Sequence, residues 1–310
     1  MKKFILPIAL GIAFAANAQT FEVVSLEQVN TGVREAAYHP RFMPDGNTLL
    51  VCDENYDGLG LVDIKAKSYT HLTNHAGAGY EAVIGDDGKT IISRKVDYEN
   101  QSVMLCKVDL AAKTVSPIVS DAEHFNNVRL VNGEVTISQN GKLLRNRIAK
   151  AKVKATGLST TDDVYVTVED LKLVVYKNGV RNVLDPMNDG TNDPAYTWAS
   201  LSPNGKKLLF VCGNDAYVTD LDGNNAVCLG LLHAPVWRDN DYVVGMEDYD
   251  DGHVITESDI VIARVDGKTK QVLTKDSKAL NMFPAVSADG SKIVYNTGEG
   301  KIFMMTIKGK

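Results

Sequence analysis

Four stretches of this chain repeat one phrase, a turn pair followed at once by an apolar run: MPDGNTLLV (43–51), GDDGKTIIS (85–93), SPNGKKLLFV (202–211) and SADGSKIVY (287–295). In each, Asp or Asn precedes Gly, a pair that supplies the positive φ a tight hairpin requires, and strand-forming residues follow. A phrase that recurs at intervals of tens of residues restricts the chain to architectures made by repeating one small unit.

The rest of the unit can be read around that phrase. A short apolar segment, often with Pro, opens it (HPRF, APVW, FPAV); a polar loop follows the strand, then a third strand such as GLVDI (60–64), VMLCKVDL (103–110) or AYVTDLDG (216–223). A fourth segment ends in HLT (71–73) or VLT (272–274). Four short strands in ~40–45 residues is the arithmetic of one β-propeller blade. The turn positions Gly46, Gly88, Gly133, Gly205, Asn240 and Gly290 are separated by 42, 45, 72, 35 and 50 residues. The 72-residue interval holds NGEVTISQNGKLLRN (132–146) and VYVTVEDLKLVVYKNGVRNVLDP (164–186). Taken as one blade with an inserted hairpin, it gives an all-β propeller of six four-stranded blades; the alternative is seven, one of them degenerate. The last repeat lacks an outer strand, and TFEVVSLEQV (20–29) stands before the first with no blade of its own. Pairing of strand 20–29 with the C-terminal blade is expected to close the ring and remove two open edges.

The first eighteen residues read differently. Lys2 and Lys3, an apolar stretch from Phe4 to Ala16 and the Ala16-Asn17-Ala18 ending form the pattern of a cleaved secretory signal, so 19–310 is expected as one exported propeller domain, periplasmic, secreted or on the cell surface. No other apolar run approaches the ~20 residues of a membrane span. Without Lys2 and Lys3 the chain keeps 31 basic against 39 acidic residues, which argues against nucleic acid or an anionic membrane as main partner. The four cysteines, Cys52, Cys106, Cys212 and Cys228, are expected as free buried thiols, because Cys52 and Cys212 occupy the same place in different repeats. Cys212 and Cys228 fall on the second and fourth strands of one blade.

The phrase Pro-x-[Phe/Trp]-x-x-[Asp/Asn]-Gly-x-x-[Leu/Ile], followed by an x-Asp-[Leu/Ile] strand, is best at 40–64, 80–110, 197–223 and 283–307. It resembles the WD40-like repeat of TolB-type propellers. The resemblance covers most of 35–310, is specific for fold rather than activity, and implies docking of proteins in the cell envelope. TolB carries an α/β domain ahead of its propeller, for which only residues 19–34 are available here, and neither the peptidase domain found beside similar propellers nor a G-x-S-x-G elbow is present.

Loops between second and third strands share a rim with the loops joining blades, and this sorting puts His39, His75, His124, His233 and His253 on one rim beside Tyr80, Glu81, Trp198 and Tyr249. A polar, aromatic rim around a funnel suits a small ligand, peptide or metal; long loops also collect polar residues for no other reason than exposure. DENYDG (53–58) opens like a calcium loop, with Asp53, Asn55 and Asp57 as oxygen donors, but Ile64 stands where the bidentate Glu belongs. No other cofactor is suggested. Lys150, Lys152 and Lys154 extend KLLRNRIAKAKVK (142–154), a basic strand that reads either as a docking patch for an anionic partner or as an edge protected by lysines. The expected function is a non-catalytic scaffold binding a protein, peptide or glycan partner in the envelope. The alternative is a metal-dependent, lactonase-like hydrolase with its site at the funnel.

Overall fold

The repeated phrase owes its form to a hydrogen-bond scheme that is copied almost atom for atom. In the computed structural model, Met43, Gly85, Ser202 and Ser287 each donate N–H to the residue five places on (2.8–2.9 Å), and each accepts from the hairpin glycine three places on (2.8–2.9 Å). The Asp or Asn between them, Asp45, Asp87, Asn204 or Asp289, accepts from the N–H two residues later at 2.8–3.1 Å. The Thr48 hydroxyl, with these N–H bonds, holds the Asp45 carboxyl below its usual range against the effect of burial, and the Ser287 hydroxyl, with the bonds from Ser291, brings that of Asp289 to about 2. Gly46, Gly88, Gly205 and Gly290 all take φ between 61° and 69°, which only glycine adopts without strain.

The structure describes residues 20–32, 34–120, 125–131, 133–148, 164–188, 190 and 193–309. After β1 (Phe21–Gln28), blade 1 comprises β2 (Tyr38–Phe42), β3 (Thr48–Cys52), β4 (Leu59–Asp63) and β5 (Ser68–Thr73). Blade 2 comprises β6 (Val83–Ile84), β7 (Thr90–Asp97), β8 (Ser102–Asp109) and β9 (Thr114–Val119). Blade 3 is β10 (Phe125–Val131), β11 (Glu134–Gln139) and β12 (Lys142–Arg147); blade 4 is β13 (Val164–Glu169), β14 (Lys172–Lys177) and β15 (Val180–Leu184). Blade 5 is β16 (Tyr196–Leu201), β17 (Lys207–Cys212), β18 (Asp215–Asp220) and β19 (Val227–Leu231). Blade 6 is β20 (His233–Trp237), β21 (Tyr242–Asp250), β22 (Ile255–Arg264) and β23 (Lys270–Val272). Blade 7 is β24 (Asn281–Val286), β25 (Lys292–Thr297) and β26 (Ile302–Gly309), completed by β1.

The propeller therefore has seven blades, and the expectation of six is corrected. The hairpin read as an insertion is a sheet in its own right: β14 pairs with β13 and β15, and among the described residues β12 pairs only with β11. Two-residue turns at Asn140-Gly141, Asp170-Leu171 and Asn178-Gly179, all with positive φ, let three strands fit in so short a stretch that the spacing imitates one long blade. Closure is as expected, with β1 antiparallel to β26 from Phe21↔Gly309 to Gln28↔Phe303.

Blade 4 is also offset. Tyr196 N donates to Leu171 O (2.8 Å), as Leu232 N does to Asn214 O (3.3 Å) and Ala37 N to Gly300 O (2.9 Å) at other seams. In those seams the acceptor lies in the turn between second and third strands. β13, β14 and β15 are thus second, third and fourth strands, and no innermost strand precedes β13 among the described residues. Side chains of β10 reach the backbone here: Asn127 Nδ2 donates to Val166 O (3.0 Å) and Ala199 O (3.0 Å), and Arg129 donates to Val164 O (2.9 Å).

The core is a ring of clusters, each filling one seam between neighbouring blades. Leu49 and Val51 of β3 face blade 7, whereas Leu50 and Cys52 of the same strand face blade 2. Burial on both faces is why the second strands read as continuous apolar runs rather than alternating ones. The seam between blades 3 and 4 is the poorest, with Tyr165, Val174, Tyr176 and the partly buried Leu143. A polar network supplements it: Ser138 N donates to Tyr165 Oη (3.2 Å), Tyr165 Oη–H to Asn127 O (2.7 Å) and Tyr176 Oη–H to Glu169 Oε1 (2.8 Å), with Arg181 Nη2 and Nε both donating to Glu169 Oε2 (2.7 and 2.9 Å). All four cysteines are free, Cys52 and Cys106 buried as expected, but Cys212 is half-buried and Cys228 exposed on the outer strand β19.

Phe21 is the anchor of closure. It is 4% exposed, edge-on to Tyr242 (4.9 Å between centroids) and under the Arg238 guanidinium (4.8 Å). Phe21→Ala is expected to cost about 3–5 kcal/mol by urea unfolding. Leu26→Ala, at an exposed position of the same strand, should stay within about 0.5 kcal/mol.

Candidate functional site

The innermost strands share a distortion that lines the funnel mouth. His39, Glu81, Asn127, Trp198, Ala234 and Phe283 occupy the same position of six blades, and all have φ between 43° and 53°. Pairing slips at this point in five of them, between Tyr38/Arg41, Asn126/Arg129, Thr197/Ser200, His233/Val236 and Met282/Ala285. A left-handed conformation costs a non-glycine residue about 1–2 kcal/mol, so the repeated bulge is a strained feature maintained around the ring.

Two aromatic groups grow from these bulges. In blades 7, 1 and 2, His39 stacks on Tyr56 (3.7 Å, 17°) and tilts against Phe283 (4.3 Å), and Tyr56 meets Tyr80 edge-on (5.3 Å). Arg94 lies over the Tyr80 ring (5.0 Å) and is ion-paired with Glu81. Arg41 donates to Ala82 O across the seam between blades 1 and 2, and burial lowers its pKa. In blades 5 and 6, Trp198 lies 5.6 Å from His233, whose Nδ1 is 2.8 Å from Asp248 Oδ1. Tyr80 (45%) and Trp198 (47%) expose nearly half of their surface, so each group ends in a ring open to solvent.

Of the residues expected at the site, His39, Tyr80 and Glu81 come together in the first group and Trp198 and His233 in the second. Tyr249 is exposed, its hydroxyl donating to Glu247 (3.0 Å), and His253 is exposed on the same loop. Neither is in contact with the two groups; His124 lies outside the described residues. Phe283, Arg94 and Asp248 were not among the expected binding residues, although Phe283 precedes Pro in FPAV as His39 does in HPRF, and that shared place could have flagged it.

The carboxylates of the calcium-like loop are engaged otherwise. Asp53 is ion-paired with Arg34, and Asp57 Oδ1 accepts from Gly77 N (2.7 Å), tying this loop to the one entering blade 2. Gly58 N to His75 O (2.9 Å) and Gly79 N to Tyr56 O (2.7 Å) complete the tie. Among the described residues, no group of three or more His, Cys, Asp or Glu is placed to hold a metal ion.

No protein-family model and no curated protein matches this chain. Solved structures do. The Cps50 (Swd1) β-propeller domain of Myceliophteria thermophila is 11% identical with a TM-score of 0.59, over 92% of this chain and 100% of that one. Oligogalacturonate lyase of Vibrio parahaemolyticus is 13% identical with a TM-score of 0.56, over 93% and 98%. YCF48 bound to D1 peptide is 14% identical with a TM-score of 0.55, over 94% and 98%. TolB of Acinetobacter baumannii aligns at 15% identity and a TM-score of 0.48, over 76% of this chain and 53% of TolB, so the chain spans about half of TolB's length. The first three likenesses establish the fold, a β-propeller. No helix among the described residues is long and apolar enough to cross a membrane.

His39 gives the site a pH signature. Burial between Tyr56 and Phe283 lowers its pKa from 6.5 to about 4 despite the Glu54 carbonyl at 3.2 Å. The unfolded chain therefore takes up a proton between pH 6.5 and 4 that the native chain refuses. Stability falls as the pH drops through this window, by on the order of 3 kcal/mol in total from this residue. His39→Phe should flatten the fall in melting temperature across that window relative to wild type; identical pH profiles would contradict a neutral, buried His39.

Proposed function

We propose that this protein is an exported, non-catalytic propeller that holds a protein, peptide or glycan partner of the cell envelope at its funnel mouth. The observation that carries this reading is the pair of aromatic groups ending in the open rings of Tyr80 and Trp198, each backed by a fixed polar pair, Arg94 with Glu81 and His233 with Asp248. Such rings offer apolar area at low entropic cost to a peptide side chain or the flat face of a sugar. The polar groups around them are already committed, Glu81 to Arg94 and Asp248 to His233, and no hydroxyl or thiol is hydrogen-bonded to His233 among the described residues. That pattern favours positioning over nucleophilic chemistry. YCF48, captured with a peptide, is a propeller of the same span and supports a peptide ligand. The likeness to oligogalacturonate lyase supports the second reading, an enzyme at the funnel. The signal-like N-terminus supports export.

Peptide and glycan arrays probed with the exported protein should yield ligands whose binding drops tenfold or more in a Tyr80→Ala, Trp198→Ala variant of unchanged melting temperature. Undiminished binding by that variant would place the site elsewhere, and metal-dependent turnover of an array ligand would favour the enzyme. The mature protein should begin at Gln19 by mass spectrometry; retention of Met1 in the envelope fraction would overturn cleavage.

A further inference from the structure

We propose that the funnel takes its ligand by a carboxylate, the free C-terminal end of a polypeptide, seated on the guanidinium of Arg41 beneath the Tyr80 ring. This deepens the reading of the funnel mouth as a binding site and rests on it. Arg41 stands two residues along β2 from the His39 bulge, on the side away from the rim, and is half-buried. Its Nη1 reaches across the seam between blades 1 and 2 to donate to Ala82 O, two residues further from the rim than Tyr80. His39 stacks on Tyr56 and Tyr80 meets Tyr56 edge-on, so an aromatic collar stands on the rim side of the guanidinium. The charge of Arg41 acts on His39, Cys52 and Tyr56, which line the same space.

The bond to Ala82 accounts for one donor of Arg41 and for none of its charge. Arg129, at the same register position of blade 3, gives a bond of the same kind to Val164 O (2.9 Å), so a seam tie at this position asks for a single donor. The other donors of Arg41 have no protein partner among the described residues, yet none of them is sealed from solvent. Nor do its neighbours answer the charge. Of Cys52, Tyr56 and Glu81, burial keeps the first two protonated, both pushed up to about 12, and Glu81 is bonded to Arg94. His39 is neutral above a pH of about 4. Arg41 is thus a cation partly withdrawn from water, with a planar fork of donors that matches both oxygens of a carboxylate.

The surroundings favour a chain end over a sugar or an internal segment. Sugar hydroxyls and mid-chain amides both donate, and both need acceptors once buried. The acceptors beside Arg41 already hold a donor: Ala82 O that of Arg41, Glu54 O that of His39 Nε2 (3.2 Å), Tyr56 O that of Gly79 N (2.7 Å) and Glu81 that of Arg94. A carboxylate asks for donors only. The last side chain of the polypeptide can then lie on the exposed Tyr80 ring, for which a small inorganic anion has no use.

The test is isothermal titration of the exported protein with the acetylated peptide Gly-Ser-Gly-Ala-Leu-Phe, as free acid and as C-terminal amide. Galacturonate and inorganic phosphate are the comparison arms. The acid should bind about tenfold or more tighter than the amide, and less tightly as salt is raised. Arg41→Gln should erase the difference between acid and amide, Arg41→Lys should keep part of it, and Trp198→Ala should leave it intact. If Arg41→Gln does not fold, the acid-to-amide ratio of the folded wild type decides alone. Equal binding of acid and amide would overturn the proposal, as would binding of neither at millimolar concentration. So would a preference for the acid that survives in folded Arg41→Gln, or galacturonate or phosphate binding more tightly than the acid. Acid and amide bound alike, and both lost in the Tyr80→Ala, Trp198→Ala variant, would remove the carboxylate while keeping the funnel as the binding site.

Discussion

Burial of each second strand on both faces is the constraint from which the rest of this molecule follows. A strand such as β3 or β17 divides its apolar residues between two seams, so neither neighbouring blade has a core without it. The ring must then be closed, because an unclosed blade would leave a full apolar face in water. β1 exists for that reason: its Phe21 enters the seam between blades 6 and 7, and its backbone completes the last sheet. Gln271 adds a polar clamp, accepting from the Phe21 amide at 3.0 Å and donating to the Phe21 carbonyl at 2.8 Å.

Blades 3 and 4 show what happens when the repeat is relaxed. With only three strands each among the described residues, they meet through a small apolar cluster, and hydrogen bonds take over part of the contact. Ser138, Tyr165, Tyr176 and Glu169 satisfy one another, and Asn127 and Arg129 donate to the carbonyls of β13. Such a network costs desolvation at every member, and its net contribution per bond is on the order of 1 kcal/mol. Its distinct property is direction. Polar partners fix the mutual position of two blades that apolar packing alone would hold loosely, and they leave an outer cleft unfilled.

Much of this could be read in the chain before its coordinates were known, and the limits are physical. The Asp-Gly phrase is local: one turn, one scheme of bonds, repeated, so fold class and closure were legible. Blade number was not, because it depends on which strands pair. A two-residue turn makes NGKLLRN and KNGVRNVL look like embellishments of one sheet when they belong to two. The rim sorting named His39, Tyr80 and Glu81, which come together in one group, and Trp198 and His233, which meet in another. It missed Arg94 and Phe283, since a residue in a second strand and one before Pro carry no polar-loop signature. The calcium-like spacing at Asp53 and Asp57 admitted either ligation or plain turn carboxylates, and the same oxygens meet an arginine and a backbone amide.

The bulge ring explains why so regular a scaffold can carry an irregular site. What the fold requires at those six positions is a backbone conformation, the left-handed turn that lets each innermost strand slip by one residue. It does not require a particular side chain, as the set His39, Glu81, Asn127, Trp198, Ala234 and Phe283 itself demonstrates. Hairpin positions are different, because there the Asp and Gly themselves make the turn and cannot be exchanged freely. Sequence freedom in the scaffold is therefore concentrated at the funnel mouth, on residues held by strained but rigid backbone. In blades 1, 2, 5 and 7 that freedom has been used for aromatic, imidazole and carboxylate groups that interlock between neighbouring blades. Side chains that meet across seams at this ring are thus carried on strained backbone, His39 against Phe283 and Tyr56 and Trp198 against His233.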